Sequence, residues 1–121
     1  MITNLTTTEI EELRIAIAEE MGWKWHYGDC CKTSGACYWN KGKFDYRTAI
    51  CFTNLPPYTE KIDSIREAAM ERFKTPEDVF WFAKEIRIRR HEIGVDEPWQ
   101  LTALDWSIAF ARTAKIWRYK V

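Results

Sequence analysis

Apolar residues recur at Ile10, Leu13, Ile17 and Met21, while Glu11, Glu12, Arg14, Glu19 and Glu20 fall mostly elsewhere. That spacing is one face of a helix. Thr6 and Glu9 stand at capping-box spacing, Leu5 and Ile10 at that of a hydrophobic staple, and Gly22 can take the left-handed turn that ends a helix. The pattern predicts a helix over 6–21. It then changes to period two, with Trp23, Trp25 and Tyr27 on one side and Lys24 and His26 on the other. Residues 28–36 read as loop. Ala36 to Trp39, a glycine-containing turn at 40–43, and alternation of Phe44, Tyr46, Thr48, Ile50 and Phe52 predict two further strands of an antiparallel meander.

After Leu55-Pro56-Pro57-Tyr58 the helical period returns. Thr59 is the expected cap of a helix reaching Phe73, with Ile62, Ile65, Ala69 and Phe73 on its apolar face. Thr75-Pro76-Glu77-Asp78 is a strong helix start, with a cap, a first-turn proline and early acids. Val79, Phe82, Ala83 and Ile86 suit a helix to about Arg90, although Glu85 to Arg89 also alternates like a strand. Gly94 and Asp96-Glu97-Pro98 form a break, and a last helix is expected over 98–117. Leu101, Leu104, Ile108 and Ala111 line it, extended by Trp106, Phe110 and Trp117. Such a helix is buried or meets a second subunit. The order α-βββ-α-α-α predicts an α+β fold, one antiparallel three-stranded meander sandwiched between helices, as a single domain over 1–121.

Charge narrows the function. The chain has 121 residues, with 18 Lys and Arg against 18 Asp and Glu. A neutral balance argues against a general DNA-binding role, which needs a basic excess to displace counterions. No signal-peptide pattern and no membrane-length apolar run occurs, so a soluble intracellular chain with reduced thiols is expected. Cys30, Cys31, Cys37 and Cys51 with His26 could supply a zinc set, but adjacent cysteines are not knuckle spacing, and ordinary thiols are the expected reading. There is no phosphate loop, no nucleophile elbow and no zinc-protease helix. His26 and His91 lack a neighbouring nucleophile, so no enzymatic activity, metal or cofactor is expected.

Seven tryptophans stand beside a basic C-terminal half with Arg87, Arg89, Arg90, Arg112, Lys115 and Arg118. Aromatic faces stack on bases, and guanidinium groups grip phosphates. Both residue types also serve ordinary cores and solvated helix faces.

Three blocks, "ELRIAIAEEMGWKWHY", "LPPYTEKIDSIREAAMERF" and "WQLTALDWSIAFARTAK", resemble the phage ABA-sandwich domain family. They run from about Glu12 to Lys115. The resemblance implies a helix–sheet–helix sandwich and, in the members most similar, phage or prophage anti-defence proteins of the infected host's cytoplasm. Those members block Thoeris immunity by sequestering cyclic ADP-ribose isomers (glycocyclic ADP-ribose) without cleaving them. It also implies homodimers, sometimes hexamers, with cyclic oligonucleotides held at a second site. On that reading Phe82 is the stacking residue, with Trp81 as substitute. Arg112 and Arg90 contact the pyrophosphate, Lys115 or Arg118 lies nearby, and Asp96 accepts from a ribose hydroxyl. Only Arg112 of these falls inside a matching block. Trp99, Trp106 and Phe110 are expected in packing or the subunit seam. The alternative is a phage structural or protein-interaction module using an exposed aromatic surface.

Overall fold

The computed structural model describes residues 5–27, 36–40, 50–51 and 55–117. Helix α1 spans Thr7–Glu20. Its capping box is complete: the Thr6 hydroxyl accepts from the Glu9 N–H at 3.1 Å, and the Glu9 carboxylate accepts from the Thr6 N–H at 2.9 Å. Gly22 follows with φ 97°, a conformation that a side chain would strain. Strands β1 (Trp23–Tyr27), β2 (Ala36–Asn40) and β3 (Ile50–Cys51) pair antiparallel in that order. Helices α2 (Ile62–Arg72), α3 (Pro76–Ile93) and α4 (Ala103–Thr113) complete the body.

The expected α+β meander sandwich is not the architecture found. The four helices take 14, 11, 18 and 11 residues, whereas the strands take only five, five and two. Among the described residues, α1, α2 and α3 each pack on α4, and α1 is the helix in contact with β1. The fold is mainly helical, with α4 at its centre. The physical reason lies in α4 itself. Ala103, Ser107, Ile108, Ala109, Phe110 and Ala111 are all buried, so its apolar surface faces three ways and draws the other helices onto itself, not onto two sides of a sheet.

The core joins Leu13 and Ile17 of α1, Ile65 and Ala69 of α2, Phe73, and Ile108 and Phe110 of α4. A second cluster, Ile86, Leu101 and Ala109, seals α3 against α4. The buried Ser107 hydroxyl lies 2.8 Å from the Tyr58 carbonyl and 2.9 Å from that of Ala103, and shares its single proton between them. It thereby ties the Pro56–Tyr58 turn to α4.

Three boundaries differ from expectation. Thr59 does not cap α2: it is buried, and Lys61 precedes the helix without a side-chain cap. The stretch 85–89 is helical and α3 runs on to Ile93, ended by Gly94 at φ 74°. The last helix starts later than 98. Pro98–Gln100 is a separate 3-10 turn, Leu101 is extended, and Thr102 caps α4 by accepting from Asp105 N–H. Its far end closes with Lys115 at φ 62°. Ile116 N–H donates to the Ala111 carbonyl at 2.9 Å and Lys115 N–H to that of Arg112 at 3.3 Å, a Schellman closure with lysine where glycine is usual.

Candidate functional site: an aromatic groove with an arginine lip

Thr75 starts α3 by accepting from the Asp78 N–H at 3.1 Å. Once that start is set, Val79, Phe82, Ile86 and Arg90 fall on one side of the helix. Phe82 meets Trp106 of α4 with ring centroids 5.8 Å apart, and Phe73 at 5.1 Å. Phe73 in turn stacks toward Phe110 at 5.0 Å, so the rings run from the surface into the core.

Over Phe82 and Trp106 lies an apolar groove of about 330 Å³, lined also by Val79, Ala83, Ile86 and Pro98 and edged by Arg87 and Arg90. It continues toward α2 as about 230 Å³ bounded by Phe73, Met70 and Arg66. The Arg66 guanidinium stands 5.8 Å over the Trp106 ring. Among the described residues no carboxylate lines either stretch. Trp106 Nε1 and Arg90 Nε are buried there and have no hydrogen-bond partner among the described residues.

Arg87 and Arg90 also form one wall of the next recess, about 230 Å³, shared with His91, Gly94 and Asp96. Arg90 Nη2 donates to the Asp96 carbonyl, and the Asp96 N–H donates to Gln100 Oε1 at 3.1 Å. Phe82, Arg90 and Asp96 of the expected set therefore border one continuous surface.

Trp81, Arg112 and Lys115 border a different cleft, about 450 Å³, together with Glu77, Asp78, Glu85 and Thr113. Three carboxylates outnumber two cations there, which is poor chemistry for a pyrophosphate. Arg112 is moreover engaged. It donates to both oxygens of Glu92 at 2.8 and 3.2 Å and lies 5.3 Å over Trp117. Burial pushes the Glu92 carboxyl up, but hydrogen bonds and Coulomb attraction from Arg112 and Arg89 outweigh it and hold the group below its ordinary value. Trp81 carries Lys84 at 4.8 Å from its ring and an edge contact to Phe80 at 5.4 Å. Trp81, Arg112 and Lys115 of the expected set therefore lie apart from Phe82 and Arg90, and Arg112 is paired with Glu92.

Arg118 lies outside the described residues, as do Cys30 and Cys31. In the strand register His26 stands opposite Cys37, and Cys37 opposite Cys51.

No protein-family model, curated protein or solved structure matches the chain. The groove is accordingly read on its chemistry alone.

Sequence reasoning did not place Arg66 or Trp106 at the site and named Arg87 only within the basic C-terminal set. Arg87 could have been found, since it follows Ala83 by four positions and precedes Arg90 by three. Trp106 read as core packing because its neighbours on α4 are core residues. Arg66 gave no signal, because its meeting with Trp106 depends on how α2 crosses α4.

Proposed function

We propose that the chain binds a cyclic ADP-ribose isomer non-covalently and holds it intact, serving as a phage anti-defence protein that removes the signal from Thoeris immunity. The observation that carries this reading is the aromatic groove ending in two arginines, which no carboxylate lines among the described residues. An adenine ring would lie against Phe82 and Trp106, the pyrophosphate would meet Arg87 and Arg90, and a ribose hydroxyl would donate to the Asp96 carboxylate.

The energetics are workable. Trapping a nanomolar signal needs about −12 kcal/mol. A stacked ring contributes roughly 1–3 kcal/mol, and each charge-assisted hydrogen bond about 1.5–3 kcal/mol. Two rings and two guanidinium groups approach that figure only if ordering costs are low. A cyclic ligand, already restrained, meets that condition. A second copy of the chain closing over the groove would exclude water and strengthen the phosphate contacts. Cyclic oligonucleotides are a second ligand class on the same reading.

One observation favours a different role. Met70 and Val79, which line the groove, are 75 % and 52 % exposed, the kind of apolar surface that docks another protein. Calorimetry and thermal shift against cyclic ADP-ribose isomers, linear ADP-ribose and cyclic trinucleotides separate the two. A sponge saturated at 100 times Kd gains about 2.7 kcal/mol of stability and releases its ligand unaltered on heating. A docking module shows no heat and no melting shift with any of them, and a hydrolase returns an altered ligand.

A further inference from the structure

The strand register brings two of the four cysteines onto one rung. Cys37 of β2 is the partner of Cys51 of β3, and His26 of β1 is the partner of Cys37 across the other edge of β2. Opposite residues of an antiparallel pair have Cα atoms about 4.5 or 5.5 Å apart, depending on whether they exchange hydrogen bonds. Both spacings fall inside the roughly 4.4–6.8 Å that a disulfide spans. Opposite positions also belong to the same face of a sheet. Tyr38 and Ile50 form the neighbouring rung, and a slip of one residue would send the two cysteines to opposite faces.

A zinc ion fits that rung less well. Neighbouring strands lie about 4.8 Å apart, so the positions of His26 and Cys51 are separated by roughly 10 Å across Cys37, whereas zinc holds its ligand atoms within about 2.3 Å. A disulfide needs only the two adjacent positions. We propose that Cys37 and Cys51 are a redox pair, thiols at rest that close into a cross-strand disulfide. The oxidant is a low-molecular-weight disulfide. The Cys37 thiolate attacks one of its sulfurs, the S–S bond breaks, and the departing thiolate takes up the proton that Cys37 gave away. Cys51, deprotonated in turn, attacks the Cys37 sulfur of the mixed disulfide and expels a second small thiol. Two protein thiols are oxidised and one small disulfide is reduced to two thiols. A basic neighbour raises the thiolate share of a cysteine, and His26 holds the rung position next to Cys37, which places the first attack there. Closure fixes β3 to β2, and β2 pairs with the strand that packs on α1. The pair is independent of the groove, none of whose lining residues lies on a strand.

The test incubates reduced full-length protein with glutathione disulfide, blocks free thiols with N-ethylmaleimide, and digests with trypsin without reduction. Cleavage after Lys24, Lys32, Lys41, Arg47 and Lys61 puts Cys37 in peptide 33–41, Cys51 in peptide 48–61, and Cys30 with Cys31 in peptide 25–32. Mass spectrometry is expected to find 33–41 joined to 48–61, and dithiothreitol to part them. The oxidised protein should unfold at a higher urea concentration than the reduced form, and Cys51→Ser should stop at the mixed disulfide on Cys37. Recovery of Cys37 and Cys51 as blocked thiols overturns the proposal, as does a main product that joins 25–32 to either peptide. So does bound zinc that must be chelated before the two thiols react, because it would make them ligands.

Discussion

Arg89 of α3 donates its Nε to Asp105 Oδ1 of α4 over 2.8 Å, with side chains only 3 % and 8 % exposed. The other Asp105 oxygen accepts from the Thr102 N–H and hydroxyl, both at 2.9 Å. One carboxylate therefore caps α4 and neutralises the guanidinium that joins α4 to α3. Removing it leaves a buried charge short of its principal partner. Asp105→Ala is expected to destabilise the fold by about 3 kcal/mol or more, read from the shift in urea midpoint.

The same chain of charges continues from Arg89 to Glu92 at 3.3 Å and on to Arg112. Because the folded protein holds the Glu92 carboxyl below the ordinary value of 4.5, the folded state binds that proton less readily than the unfolded chain. Its stabilisation is complete above the unfolded value and is lost as pH falls through the lowered one. Chemical denaturation at a series of acidic pH values should therefore show a steeper fall for the native chain than for Glu92→Gln.

Arg112 and Arg90 are expected to part company under mutation. Arg112→Ala should leave affinity for a cyclic ADP-ribose isomer within about twofold while lowering stability, because its carboxylate partner Glu92 loses a strong donor. Arg90→Ala, at the lip of the groove, should weaken binding about tenfold or more. Calorimetry beside urea melts of both variants checks the pair, and a large affinity loss in Arg112→Ala would return the phosphate role to the acid-rich cleft.

Lys115 occupies the left-handed region at φ 62°, where a Cβ costs about 1 kcal/mol. Lys115→Gly should raise stability by up to about that amount, with the Schellman bonds kept. A falling urea midpoint would show instead that the lysine side chain contributes more than its backbone costs.

Helix starts were legible where one residue announces them. Thr6 with Glu9, and Thr75 with Pro76, act on their own neighbours and need no tertiary partner. The start of α4 was missed because Pro98 imitates a first-turn proline, whereas the working cap is Thr102 with an aspartate at its third position. Layering was not legible. An apolar girth says that a helix is enclosed but not by what, and here three helices enclose α4. The site split for a similar reason. Phe82 and Arg90 share one side of α3, so periodicity could group them, whereas Asp96 lies past the Gly94 cap and joins them only through the turn that follows. The engagement of Arg112 depends on Glu92, 20 residues away in sequence, and is visible only after α3 and α4 meet.

The central place of α4 has a bearing on how the protein comes into being. Synthesis delivers α1, α2 and α3 before the segment on which all three rest, so a nascent chain carries three amphipathic helices with no shared partner until residues 103–113 leave the ribosome. Until then their apolar faces lack the element they share, so the core is expected to close only once α4 has been made.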